Sequence, residues 1–281
     1  MILRTVLSTV LMLSIGCSQL FAAEGNQSTN WNYSLGMGGM YAPMYLGAKQ
    51  YRMSALPVIH ANYKDDFSAS TLEGMKYIVL GTPSSRVGAV VKYNPGRRED
   101  GKSAYYLNEQ SFDELNGLGD VDGGLEIGSY VEFTNQQVMG KFEFRKSTAS
   151  HGGMVGEAEV KYNSTFILLK TPSFFSIGPK VTLANRDYIN AYFGINNKQA
   201  TLSGLNTFEF NPSTQGLSAG SISLLSYGLH SAAGFNLNNN LTIAVFAGVD
   251  QIENDIAKSP LIDARGSDIQ KNLGMYVQHR F

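Results

Sequence analysis

The sequence predicts an all-β protein, a transmembrane antiparallel up-and-down β-barrel of twelve strands with ten as the alternative. Three observations predict it: two-residue alternation of apolar and polar residues recurs along the chain, the first residues are laid out as a secretory signal, and the last ones alternate up to a terminal Phe281. In a strand successive side chains point to opposite faces. A barrel strand therefore carries an apolar row toward lipid and a polar row toward the lumen, with aromatic residues at the membrane interfaces.

At the amino end, Met1-Ile2-Leu3-Arg4, an apolar stretch from Thr5 to Ile15, and small residues leading to Ala22-Ala23-Glu24 match the three parts of an export signal. Cleavage after Ala23 makes residues 1–23 a secretory signal peptide and 24–281 the barrel, in the outer membrane of a Gram-negative cell. The apolar run is shorter than the roughly 20 residues needed to span a bilayer as a helix, and no later stretch approaches that length. Ser14-Ile15-Gly16-Cys17 loosely resembles a lipoprotein cleavage sequence, with Ser14 where leucine is usual. If Cys17 instead leaves with the signal, the mature chain has no cysteine, which excludes a disulfide framework, thiol catalysis and cysteine metal sites.

Weaker alternating segments of about ten residues start at Trp31, Leu56, Phe67 and Arg86, with turn chemistry such as Tyr63-Lys64-Asp65-Asp66 between them. The clearest segment runs from Leu125 to Phe133: Leu125, Ile127, Ser129, Val131 and Phe133 share one face, and Glu126, Gly128, Tyr130 and Glu132 the other. Phe142 and Phe144 then oppose Lys141, Glu143 and Arg145, and Met154, Ala158, Val160 and Tyr162 oppose Glu157, Glu159 and Lys161. Segments starting at Phe174 and Ser221 follow, then Leu241, Ile243, Val245, Ala247 and Val249 form one more row after Asn238-Asn239-Asn240. In the final strand Leu273, Met275, Val277 and Phe281 share the apolar side with His279 as a polar intruder, opposite Asn272, Gln278 and Arg280. Met275, Val277 and Phe281 are the expected assembly signal, and this strand is expected to close the barrel against the one near Trp31.

These segments number eleven, whereas single-chain bacterial barrels have an even number with both termini in the periplasm. The missing strand is expected between Gln199 and Phe210. Two long loops are expected, at Pro95 to Asp122 and Asn185 to Gly216. The charged faces yield the most specific expectation. Glu126, Glu132, Lys141, Glu143, Arg145, Glu157, Glu159 and Lys161 oppose the apolar rows, so in a barrel they face the lumen, since Arg or Lys on the lipid side at mid-depth costs about 2 to 4 kcal/mol. Mixed signs on neighbouring strands pair across the ladder, which predicts a narrow lumen bridged by ion pairs.

Composition agrees. The mean hydropathy of −0.12 resembles that of a soluble protein, but a barrel shows lipid only every second residue of a strand. Thirty glycines, fifteen tyrosines and fifteen phenylalanines suit strands that bend and end in aromatic belts. A net charge of −1 gives no reason to expect nucleic acid as a partner; outer-membrane lipid is the expected surrounding.

Chemistry finds little support. His60, His151, His230 and His279 offer no helical zinc spacing, and no G-x-S-x-G motif is present. A Ser/His site such as Ser150 with His151 is conceivable, but such residue types occur by chance in any chain of this size. The acidic, glycine-rich run from Asp113 to Gly123 lacks the spacing of a twelve-residue calcium loop. No enzyme activity, cofactor or metal is expected.

The irregular segments carry a series of distinctive blocks, Gly38-Gly39-Met40-Tyr41-Ala42-Pro43-Met44-Tyr45-Leu46-Gly47, Leu56-Pro57, Tyr93-Asn94-Pro95-Gly96-Arg97, Gly117-Leu118-Gly119-Asp120-Val121 and His151-Gly152-Gly153. They continue with Ala184-Asn185-Arg186-Asp187-Tyr188, Ala191-Tyr192-Phe193-Gly194-Ile195, Gln199-Ala200-Thr201-Leu202-Ser203-Gly204-Leu205, Ser259-Pro260 and the closing strand. In these blocks the chain resembles the MipA/OmpV family of outer-membrane proteins, with His279 standing in place of an aromatic residue. The resemblance implies a non-enzymatic outer-membrane barrel acting as a scaffold in peptidoglycan synthesis and remodelling, with a lytic transglycosylase and a penicillin-binding protein as partners. Porin-like and adhesive roles are also described in the family, so a narrow channel for small solutes and a surface adhesin are the alternatives.

Overall fold

A computed structural model of the protein describes residues 30–101, 107, 113–168, 170–219 and 221–281. The expected signal peptide and Cys17 lie outside the described residues. Thirteen strands form one antiparallel sheet: β1 (Trp31–Pro43), β2 (Tyr51–Tyr63), β3 (Phe67–Ser70), β4 (Gly74–Thr82), β5 (Ser85–Asn94), β6 (Gly124–Asn135), β7 (Val138–Ser147), β8 (Met154–Leu168), β9 (Thr171–Asn185), β10 (Ser218–Ala219), β11 (Ile222–Asn236), β12 (Leu241–Ile252) and β13 (Ile269–Arg280). Each pairs with its neighbour, β13 pairs with β1, and β9 pairs with β11, so twelve strands close on themselves while β10 adds only a two-residue flank to β11. Closure removes the free sheet edges that lipid could not hydrogen-bond.

The seam runs from Ser34 opposite Arg280 to Tyr41 opposite Leu273, which joins the closing strand to the strand at Trp31. The expected count of twelve holds, but the expected position of the missing strand is wrong. Residues 197–203 form a helix, because Asn196 and Gln199 make a reciprocal capping box and Gly204, at φ 73°, ends it in the left-handed region. The unrecognised strand is β4. The segment starting at Phe67 is two strands, folded at Thr71-Leu72-Glu73 and restarted by Gly74 at φ 78°.

Along each strand burial alternates. Met37, Tyr77, Val131, Phe142, Leu229 and Leu273 are among the many exposed apolar residues of the outward rows, which is the lipid-facing band of a barrel. On the inward side, aromatic rings press against glycines of the neighbouring strand. A Cβ on Gly274 would sit 2.1 Å from the Phe246 ring, and one on Gly234 1.9 Å from Phe174. Glycine at those places is what lets a ring fill the lumen without pushing the wall outward.

The end of the barrel carrying the termini has short connections, at 64–66, 83–84, 136–137 and 237–240, and an aromatic group of Trp31, Tyr33, Tyr63 and Phe67. The opposite end has the long connections, and by the usual asymmetry of such barrels it faces outside. These connections fold. Residues 186–193 and 197–203 are helices α1 and α2, Asn254–Ala257 and Pro260–Arg265 are α3 and α4. Tyr188, Ile189, Tyr192, Phe193, Phe210, Leu225, Ile252, Ile256 and Ile262 pack as one core, and Tyr45, Ala48, Leu115, Leu118, Ile195 and Leu261 as another. Leu115 and Leu118 of the first segment expected as a loop, and the apolar faces of α1 and its surroundings in the second, therefore contribute to a packed cap. Among the described residues no helix is long and apolar enough to cross a membrane.

Candidate functional site

Register decides which inward charges meet. Lys141 stands opposite Glu159 on β7 and β8, and their side chains form an ion pair at 2.9 Å. Two residues along, Glu143 stands opposite Glu157, an arrangement that would be repulsive by itself. Three cations relieve it. Arg145 reaches Glu143 with one terminal nitrogen and Glu157 Oε1 with the other, at 2.7 Å, while its Nε donates to Glu126 Oε2 at 2.9 Å. Lys92 of β5 pairs with Glu143 at 2.6 Å, and Lys180 of β9 with Glu157 at 2.8 Å. Lys161 pairs with Glu159 at 2.8 Å, and Lys76 of β4 with Glu73. The eight charges picked out from the sequence are all buried on the inward faces, with Glu143 completely enclosed and Glu132 opposite Lys141 in the ladder.

The sequence reading missed Lys92, Lys180, Glu73 and Lys76. Lys92 and Lys180 break apolar rows in the same alternating way as the others, between Val91 and Tyr93 and between Pro179 and Val181, and that signal was available. Glu73 and Lys76 went unseen with the unrecognised β4. Across the lumen the lining changes character: Met40, Leu56, Val58, Ala232, Ala244, Phe246 and Tyr276 of the strands flanking the seam form an apolar cluster. His230 Nε2 lies 3.0 Å from Asp250 Oδ1, where β11 and β12 approach the charged wall.

The cap is wired to the charges. Asn94, the last residue of β5, donates its amide to Glu126 Oε1 at 2.7 Å and accepts the Tyr192 hydroxyl at 3.0 Å. Arg97 donates to the Tyr192 carbonyl at 2.5 Å. Burial pushes the Tyr192 phenol up to about 12 and the Tyr188 phenol well above its ordinary value, so both stay protonated donors. His151 packs edge-on against both rings, with centroids 6.0 and 6.1 Å away. Its Nδ1 accepts the Gly153 N–H at 3.0 Å, and burial lowers its affinity for a proton. Helix α1 starts where it does because Asn185 caps it, accepting from Tyr188 N.

The Ser/His pairing does not form. Ser150 donates to Asp122 Oδ2 at 2.7 Å while His151 Nδ1 accepts from Gly153, so the Ser150 hydroxyl is turned to a carboxylate rather than to the imidazole. Among the described residues no group of His, Cys, Asp and Glu is arranged to hold a metal ion. A groove of 350 Å³ on the outward wall is lined mainly by Val131, Phe133, Phe142, Val160 and Val181, and also by Lys141 and Glu159, which are paired with each other. Met275, Val277 and Phe281 lie on or just beyond the outward row of β13, and the His279 ring sits 4.8 Å from that of Phe281.

The family model described as "MltA-interacting protein MipA" matches residues 35–281. No curated protein sequence matches the chain. Solved structures with a similar course of chain include the NanC porin, at 8% identity and a TM-score of 0.40, covering 87% of this chain and 98% of that one. The CymD monoaromatic hydrocarbon channel matches at 11% identity and a TM-score of 0.35, over 90% of this chain and 88% of its own. CdiB from Acinetobacter baumannii matches at 9% identity and a TM-score of 0.33, covering 90% of this chain, which spans 60% of CdiB's length.

Proposed function

Since the chain belongs to the family of the MltA-interacting protein MipA and is an outer-membrane β-barrel, we propose that it is a non-enzymatic scaffold that presents its periplasmic rim to a lytic transglycosylase in peptidoglycan remodelling. The observation that carries this reading is the buried mesh of ion pairs along the inward faces of β5 to β9. Arg145 ties together Glu126, Glu143 and Glu157 from three consecutive strands, and the helical cap is bonded to that mesh through Tyr192 and Asn94. A wall cross-braced this way is suited to hold its shape and offer a rigid surface.

The periplasmic rim consists of turns of two to four residues, so a partner would be gripped by several turns together. The mixed charges of Lys64, Asp65 and Asp66 and the amides of Asn238, Asn239 and Asn240 supply polar contacts of the kind that rim an interface. A penicillin-binding protein would be a second client of the same rim.

Two measurements on the purified full chain test the reading. Planar-bilayer recording should show no large single-channel steps, and the immobilised protein should retain a purified lytic transglycosylase. Steady conductance without retention would replace the scaffold by the narrow porin-like channel. Binding to host surfaces with neither result would favour the adhesin.

A further inference from the structure

Lys, Arg, Asp and Glu side chains on the described strands point inward, with two exceptions, Lys146 and Lys271, which are exposed on the outward rows of β7 and β13. Both lie near the outer ends of their strands. A lysine on the lipid side is tolerated only where it reaches the headgroup layer, and among the described residues neither has a carboxylate at ion-pair distance.

Around Lys271 the wall carries a second feature. Its backbone N–H donates to the Tyr51 hydroxyl at 3.1 Å, and the Tyr51 ring stacks on Tyr41, with centroids 5.2 Å apart and planes inclined by 24°. The phenol that accepts this bond still holds its own proton to donate. The Tyr51 hydroxyl is thus held against the backbone of Lys271, on the lipid-facing surface that also carries the Lys271 ammonium and the stacked pair of tyrosine rings. Lysine binds phosphate as a point charge and tyrosine adds direction.

We propose that Lys271, with Tyr51 and Tyr41, forms a binding site for the phosphate-bearing headgroup of an outer-leaflet glycolipid, with Lys146 as a second, simpler contact on the far side of the barrel. The ammonium neutralises a phosphate, the Tyr51 hydroxyl donates to one of its oxygens, and the Tyr41–Tyr51 pair packs against the first carbons of the acyl chains. The lipid is held in a defined place at the outer mouth, beside the seam that β13 closes. This site is independent of the scaffold reading and rests on the barrel's outer-membrane position.

Native mass spectrometry of the full chain in detergent, titrated with bisphosphorylated lipid A, reads the site directly. Wild type should retain bound lipid A, less so at high salt, while dephosphorylated lipid A and phosphatidylcholine bind more weakly. Each of Lys271→Gln and Lys146→Gln should lower apparent affinity about fivefold, the equivalent of about 1 kcal/mol for one lysine near an anionic surface. Tyr51→Phe should weaken retention as well, and Lys64→Gln at the opposite end should leave it unchanged. Unaltered retention by Lys271→Gln, an equal loss with Lys64→Gln, or displacement by inorganic phosphate at the lipid's own concentration would overturn the proposal.

Discussion

Replacing Arg145 with methionine tests the luminal mesh where its charges are most concentrated. The group around it holds three carboxylates, Glu126, Glu143 and Glu157, against three cations, Arg145, Lys92 and Lys180. After the substitution Glu143 keeps Lys92 and Glu157 keeps Lys180, but the repulsion between these facing carboxylates loses its bridge. Among the described residues Glu126 then keeps the Asn94 amide but no cation at ion-pair distance, Lys92 opposite it being engaged with Glu143. Breaking a buried pair by removing one partner costs about 3–5 kcal/mol, and that range is expected for Arg145→Met. The double variant Arg145→Met/Glu126→Gln removes the orphaned charge and should recover more than half of the loss, a coupling that a double-mutant cycle isolates. The assay is the urea dependence of the folded, fast-migrating band on a semi-native gel, with refolded protein in micelles. A single variant within 1 kcal/mol of wild type, or a double variant no better than the single, would refute the argument that the mesh is held by mutual compensation.

Three further outcomes are expected. Tyr192→Phe removes the hydroxyl given to Asn94 and should cost about 1 kcal/mol, read as faster hydrogen exchange in residues 186–203 with the strands unaffected. His151 binds a proton less readily when folded than when unfolded, so the stability it contributes is fully present above its ordinary pKa of 6.5 and declines as pH falls through that value toward the depressed one; exchange in 148–153 and α1 should quicken between pH 7.5 and 5, and His151→Gln should abolish the difference. Phe281→Ala, if the outward row of β13 is the assembly signal, should reduce outer-membrane insertion several-fold in cells while leaving refolding in detergent largely intact; equal insertion would end that role.

Sequence and structure agree most closely in the strands between residues 124 and 162. There the two-residue period is strict, and the inward set of Glu126, Glu132, Lys141, Glu143, Arg145, Glu157, Glu159 and Lys161 follows from it position by position. They disagree where the pattern is ambiguous over short lengths. At Phe67–Thr82 the alternation continues through a tight turn, so two short strands resemble one. In residues 197–203 a capping box outweighs an apolar count compatible with either element.

Which face a side chain takes, and that the last strand ends in an outward row, is written into the chain itself, because pleating is a property of neighbouring residues. Which charges pair is not. Lys92 meets Glu143, and Arg145 meets both Glu126 and Glu157, only because four strands settle into one register. The cap depends on distance along the chain even more: Tyr192 reaches Asn94 across 98 residues, and the apolar residues of the long connections become a core only when closure of the barrel brings them together over one mouth. Local geometry repeats every two residues and is legible in the sequence, whereas burial and ion pairing are set by the whole closed sheet.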